Sequence, residues 1–255
     1  MVGGVVNWHV GRCGSSVLGS LLAQHPSISY SNEIYSRFMP RRRGSVSLPS
    51  IESVLEDAEQ VSSESKLHFF EVKHLSDQNL GLYPQLKLQD WLNLFFSKGY
   101  KHHILMRRRN GLRRIVSHLR AAQSGQYVLG SSSAVVQRSP ITVPLDEIVH
   151  GHGCRTLLGW LEEYEQGHKA MQLCLVAMGK LHPELSWLEL VYEDQIEHDP
   201  YTAYRAVCNF LDLPVVDVDL RHRKISPGHL ADLIANYDEV RDYLSPTRFA
   251  WMLTE

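Results

Sequence analysis

Residues 5–26, VVNWHVGRCGSSVLGSLLAQHP, run from an apolar stretch through a glycine-bearing turn into a segment that is apolar at helical spacing. Strand, tight turn and helix in that order admit few folds, because the strand needs neighbours and the helix must pack back over them. The same order builds an anion cradle, since turn amides and the positive helix end converge on one spot. Gly11 and Gly14 allow the bend and a close backbone approach, Ser15 and Ser16 add hydroxyl donors, and Arg12 adds a fixed charge. A Gly-Ser turn of this kind also occurs in α/β proteins with no ligand there. The segment departs from the Walker A pattern, since no lysine follows Gly14 and serines stand where Lys-Ser/Thr would be. An ATP or GTP hydrolase loses its central support with that lysine.

Residues 103–121, HILMRRRNGLRRIVSHLRA, repeat the apolar strand and the helix. Arg107, Arg108 and Arg109 close the strand, and Ser117 follows Arg109 by eight positions. Ligands of open α/β sheets sit at the carboxyl ends of strands, so Arg109 is expected to face the crevice of the first turn. Arg113, Arg114 and Arg120 read as a solvated basic helix face.

Along the rest of the chain, strands are predicted at 4–9, 27–31, 67–73, 102–107 and 187–192. Helices are predicted at 15–24, 50–60, 87–98, 111–122, 155–181, 200–211 and 228–242. Leu157, Leu161, Tyr164, His168, Met171 and Leu175 make one apolar helical stripe, and Asp199-Pro200 reads as a helix start. Short strands alternating with helices imply a parallel sheet covered on both faces. Residues 122–154 have turn residues and little periodicity, which predicts a lid, a substrate loop or a mobile region.

The two strand–helix segments together resemble the nucleotide-binding elements of sulfotransferases that use 3′-phosphoadenosine 5′-phosphosulfate (PAPS). The first element of that family, Arg/Lys-x-Gly-Ser/Thr-Ser/Thr, is matched by Arg12-Cys13-Gly14-Ser15-Ser16, and the second by Arg109, Asn110 and Ser117. The resemblance implies that the first grips the 5′-phosphosulfate and the second the 3′-phosphate. It implies further a P-loop-like three-layer α/β fold over a single domain, 1–255, PAPS as co-substrate and no metal. A basic loop near the C-terminus closes over the 3′-phosphate in relatives, which makes Lys224, and after it Arg223, candidates. Residues 188–214 resemble the family's late strand, acidic turn and helix, and 122–156 match least.

Sulfuryl transfer needs charge neutralisation at the donor and a base for the acceptor's proton. Arg12 fits an electrostatic clamp, because arginine does not give up its proton. Glu33, after the second predicted strand, and His74, after the third, compete as base; carboxylates serve in bacterial and Golgi relatives, and Glu33 is preferred. Lys73 is expected at the sulfate or the acceptor, or as cover for apolar surface. Arg41, Arg42 and Arg43 read as a solvated loop that could also meet an anionic acceptor. The readings set beside the sulfotransferase are a P-loop small-molecule kinase and a non-catalytic nucleotide-binding regulator.

Composition narrows the classes. Of 255 residues 44% are hydrophobic, enough for a folded core, and the net charge of −2 gives no global field for nucleic acid. Apolar runs stop short of a membrane span, and no signal peptide is evident; family members anchored in the Golgi suggest by contrast a cytoplasmic, microbial protein. Cys13, Cys154, Cys174 and Cys208 are unpaired by spacing and read as reduced thiols, Cys13 as a small filler of the turn. His150, His152 and Cys154 lack a fourth metal ligand and read as a loop. The expected partners are a small-molecule, lipid or carbohydrate acceptor and, as an oligomer, a homodimer.

Overall fold

The computed structural model describes residues 3–43, 48–62, 66–75, 78–127, 129–130, 139–150, 153–223 and 228–254. Five strands form one parallel sheet: β1 (Gly4–His9), β2 (Ile28–Tyr30), β3 (Leu67–Lys73), β4 (Tyr100–Arg107) and β8 (Ser186–Val191), in the order β2-β3-β1-β4-β8. Short pairs lie outside it, β5 (Leu129–Gly130) with β9 (His222–Arg223) and β6 (Ile148–His150) with β7 (Gly153–Arg155). The helices are α1 (Ser15–Leu22), α2 (Ile51–Gln60), α3 (Leu88–Ser97), α4 (Gly111–Ser124), α5 (Leu157–Leu181), α6 (Tyr192–Gln195), α7 (Pro200–Phe210), α8 (Leu230–Leu233) and α9 (Tyr237–Leu244).

Strand side chains alternate between faces, and this divides the core in two. Val6, Trp8, Phe70, Val72 and Leu105 pack with Val54, Trp91, Phe95, Met171 and Leu175 of α2, α3 and α5. Val5, Phe69, Ile104, Met106 and Leu190 pack on the opposite face with Leu18, Leu21, Tyr204 and Val207 of α1 and α7. Burial on both faces explains why these strands read as nearly continuous apolar runs. The expected three-layer α/β arrangement is the one observed, with helices on both sides of a parallel sheet.

Caps set the helix starts. Ser50, Asn110, Thr156 and Asp199 each accept a backbone N–H of the first turn with the side chain. One predicted helix, 228–242, is corrected to two, α8 and α9. Between them Ile234 is extended: the Ile141 N–H donates to Leu233 (3.0 Å) and the Ala235 N–H to Ile141 (2.7 Å). Asn236 then exchanges hydrogen bonds with the Val143 backbone (2.9 and 3.0 Å). Thus part of the expected loop 122–154 is a docked segment that breaks the helix, and Ile141 and Val143 lie in a third apolar cluster with α4, α5, α8 and α9.

Candidate active site

The carboxyl end of β1 carries the site, because β3 and β4 flank it and the chain leaves toward α1 through residues 10–14. Three turn residues adopt left-handed backbone, Gly11 (φ 80°), Arg12 (φ 58°) and Gly14 (φ 87°). The turn is held from beneath by its carbonyls. Arg114, buried on α4, donates to Val10 (2.8 Å) and Gly11 (3.3 Å), and its guanidinium lies 4.8 Å from the Tyr164 ring centre. Gln78 donates to Val10 (3.0 Å), and buried Arg108 reaches the Arg12 carbonyl at 3.5 Å. In a trans peptide the N–H points opposite to the carbonyl, so the Arg12 and Cys13 amides point away from these arginines. The Cys13 side chain is itself buried among the α1 and α7 apolar residues, as expected of a filler.

A cleft of about 490 Å³ opens over the turn, lined by Val10, Gly11, Arg12, Ser15 and Ser16 from the turn and the start of α1, and by Glu33, Ser36, Lys73 and Asn79 from the segments after β2 and β3. Met39, Gln78, His118 and Tyr127 complete it. Sequence reasoning had not singled out these four or Asn79. A Cβ on Gly11 would meet only Lys73 Cε, at 3.5 Å, so this glycine is open toward the cleft. At Gly14 a Cβ would press on Ile196 (2.8 Å) and Tyr192 (3.1 Å), so packing at the end of α6 also requires glycine there.

Glu33 and Lys73 meet in the cleft, Nζ to Oε2, at 2.7 Å. The Ser36 hydroxyl donates to the same carboxylate at 2.5 Å, and Asn79 joins the group by donating to Ser36 (3.3 Å) and accepting from the Lys73 N–H (2.7 Å). Burial alone would raise the Glu33 pKa, but Lys73, His9 and the hydroxyl outweigh it and hold the value at about 2.

Below lies a polar ladder that the sequence reading missed. Asn7 stands in register with Glu71 and His9 with Lys73, on the strand face that is apolar at Val5 and Phe69. Asn7 (3.2 Å) and the Tyr30 hydroxyl (2.9 Å) donate to Glu71, and His9 Nε2 lies 3.2 Å from it. A switch from apolar to polar at alternate positions of both strands was the available signal.

His9, Glu33 and Glu71 bring three ligand atoms within 4.8 Å of one another, as a metal set would. The hydrogen bonds argue against that use. The Gly11 N–H donates to His9 Nδ1 (3.0 Å), which leaves the ring proton on Nε2, the atom that would have to coordinate. Burial disfavours a charged imidazole, and Glu71 together with Cys13 more than offsets this, so His9's proton affinity is raised.

Other sequence candidates fall in different places. Arg12 does not stand alone over the turn: Nε and Nη2 donate to Ser117 Oγ (3.1 and 3.0 Å), and Nη1 to the Tyr127 carbonyl (2.8 Å). One residue from each proposed nucleotide element is thereby joined. The Arg109 guanidinium is turned to Asp194 (2.5 and 2.7 Å) and is not among the residues that line this cleft. Glu193 accepts the Arg109 and Asn110 N–H groups at the start of α4 (2.8 and 3.1 Å). His74 is buried and is not among the residues that line the cleft, and burial, with His168, His9 and Arg114 nearby, lowers its pKa to about 3. Arg114 and Arg120, expected on a solvated face, are buried. Lys224 and His152 lie outside the described residues, as do the side chains of Arg41, Arg42, Arg43 and Arg223.

No protein-family model matches the chain, and no curated protein matches it. Among solved structures it is similar to a sulfotransferase from Alicyclobacillus acidocaldarius, at 15% identity over 97% of this chain and 93% of that one, with a TM-score of 0.43. A second is the sulfotransferase domain from the curacin biosynthetic pathway, at 14% identity over 90% and 82%, with a TM-score of 0.41. Both are sulfotransferases. The likeness is loose and assigns no chemistry to this chain. Among the described residues no helix is long and apolar enough to cross a membrane.

Proposed function

We propose that this chain is a sulfotransferase that moves a sulfuryl group from PAPS to a hydroxyl or amine of an acceptor. One observation carries the reading: an open, carbonyl-braced turn and a lysine–carboxylate pair line one cleft, with Ser15 where a Walker turn has its lysine and Arg12 within the turn. Donors for the transferring group and a proton acceptor within one cleft are what in-line transfer requires.

The turn amides with Ser15 and Ser16 would hold the 5′-phosphosulfate, and Arg12 and Lys73 would neutralise charge at the transferring group. Ser117 would serve the 3′-phosphate, and so would Arg109 once it exchanges Asp194 for the ligand. Lys224 is proposed for the same phosphate. Glu33 is the base. His74 is not proposed for that role, because its ring is enclosed away from the cleft. The acceptor is proposed as a small molecule, lipid headgroup or carbohydrate, and the protein as cytoplasmic.

Calorimetry with adenosine 3′,5′-bisphosphate and with ATP plus magnesium tests the reading, followed by turnover of labelled PAPS with an acceptor panel. Tighter binding of the bisphosphate and transfer of label are expected. Tighter binding of magnesium ATP would point to a kinase, and bisphosphate binding with no transfer to any acceptor would point to a regulator.

A further inference from the structure

Glu33 is the proton acceptor best placed in the cleft, and in this structure its basicity is suppressed. Lys73 Nζ lies 2.7 Å from Oε2, Ser36 donates to the same oxygen at 2.5 Å, and His9 Nε2 stands 3.9 Å from Oε1. Tyr30 from β2 and Glu71 from β3 face this group through their mutual hydrogen bond of 2.9 Å. Arg12 and His118 line the same cleft. A carboxylate this stabilised takes a proton poorly, whatever its position.

Lys73 has a second place to go. Its Cε lies 3.5 Å from where a Cβ on Gly11 would stand, so its stem runs along the open side of the turn. The ammonium is a compact charge with three rotatable donors on a flexible stem. An anionic group lodged at the turn would compete with Glu33 for it.

We propose, on the sulfotransferase reading, that arrival of the donor's sulfuryl group draws Lys73 from Glu33 and so turns Glu33 into a base. The ion pair is a latch that keeps the base off until the donor is in place. Once Lys73 leaves, the burial that disfavours the Glu33 charge loses its main opponent, and the carboxylate's proton affinity rises. In the transfer step, a lone pair of the acceptor oxygen forms the new bond to sulfur. The bond from sulfur to the bridging oxygen breaks, and its electron pair stays on the 5′-phosphate. The acceptor's proton passes to Glu33, which later releases it to water. Lys73, now against the donor, neutralises the charge gathering on the leaving oxygens.

The latch makes donor binding a proton-linked event, and the sulfuryl group is what carries the linkage. Calorimetric titration of the intact protein without acceptor, at pH 5 to 6 in two buffers of different protonation enthalpy, reads proton uptake directly. PAPS is expected to bind with uptake of a few tenths of a proton, on the order set by a carboxylate returning toward its ordinary range. The 5′-phosphate of adenosine 3′,5′-bisphosphate itself titrates in this range, so each nucleotide is compared between wild type and variant. Uptake with PAPS should fall in Glu33→Gln and in Lys73→Met, whose carboxylate is already unlatched, while the value for adenosine 3′,5′-bisphosphate should be nearly the same in Glu33→Gln as in wild type. Unchanged uptake with PAPS in Glu33→Gln, or an equal fall with both nucleotides, would overturn the latch alone. No binding of either nucleotide would overturn the sulfotransferase reading and the latch with it.

Discussion

Replacing Gly14 with alanine distinguishes a turn shaped for its ligand from one shaped by its packing. At φ +87° a Cβ would stand 2.8 Å from Ile196 Cγ2, 3.0 Å from Ile196 Cδ1 and 3.1 Å from a ring carbon of Tyr192. Left-handed backbone costs a residue with a Cβ about 1–2 kcal/mol. An extra methyl in a packed layer costs about 1–3 kcal/mol more, since Ile196 and Tyr192 must shift. A loss of about 3 kcal/mol lowers Tm by about 6–12 °C in a chain of this size. Gly11→Ala is the contrast: φ is +80°, but its Cβ finds only Lys73 Cε at an ordinary 3.5 Å. It therefore carries the backbone strain alone and places its methyl toward the cleft. Thermal melts with titration of adenosine 3′,5′-bisphosphate measure both effects. Gly14→Ala should melt lower while its folded fraction binds within a few-fold of wild type, and Gly11→Ala should melt closer to wild type and bind far more weakly. An unchanged Tm in Gly14→Ala together with abolished binding would refute the packing account.

Two further outcomes follow from the charges. Arg109→Ala breaks a half-exposed pair with Asp194, so stability should change by less than about 1 kcal/mol, whereas any preference for adenosine 3′,5′-bisphosphate over adenosine 5′-phosphate should fall by a factor of about 10–100; equal affinity of wild type for the two nucleotides would remove Arg109 from the site. Burial lowers His68 to about 4 and His74 and His103 to about 3. These rings are neutral when folded and bind protons when unfolded, so their contribution is whole above about pH 6.5 and is lost as pH falls toward the folded values. Tm should therefore drop steadily from pH 7 to pH 5, and a flat profile across that window would show that the rings are not enclosed as described.

Local pattern was enough for the sheet and most helices. Strands at 4–9 and 67–73 and the stripe from Leu157 to Leu175 follow from periods of two and 3.6, which report which side of an element is apolar. Asp199-Pro200 marked the start of α7 because capping is settled within three residues. The turn at Gly11 and the strand-end positions of Glu33 and Lys73 were legible for the same reason. The partners of long charged side chains were not. Arg12 finds Ser117 across 105 positions, and Arg109, one residue from the braced arginine Arg108, turns instead to Asp194 across 85. Arg113 and Arg114 are adjacent and chemically identical, yet Arg114 alone lies fully buried under the turn. The helix predicted at 228–242 failed where Ile141 arrived from a distant segment to compete for its backbone. Periodicity is a property of neighbours along the chain, whereas burial of a charge depends on which carbonyls and carboxylates the folded sheet brings to it. Thus the sequence determined where a phosphate cradle and a base could stand. Tertiary contacts decided that Glu33 is held by Lys73, that His74 is enclosed, and that Gly14 serves the packing of α6.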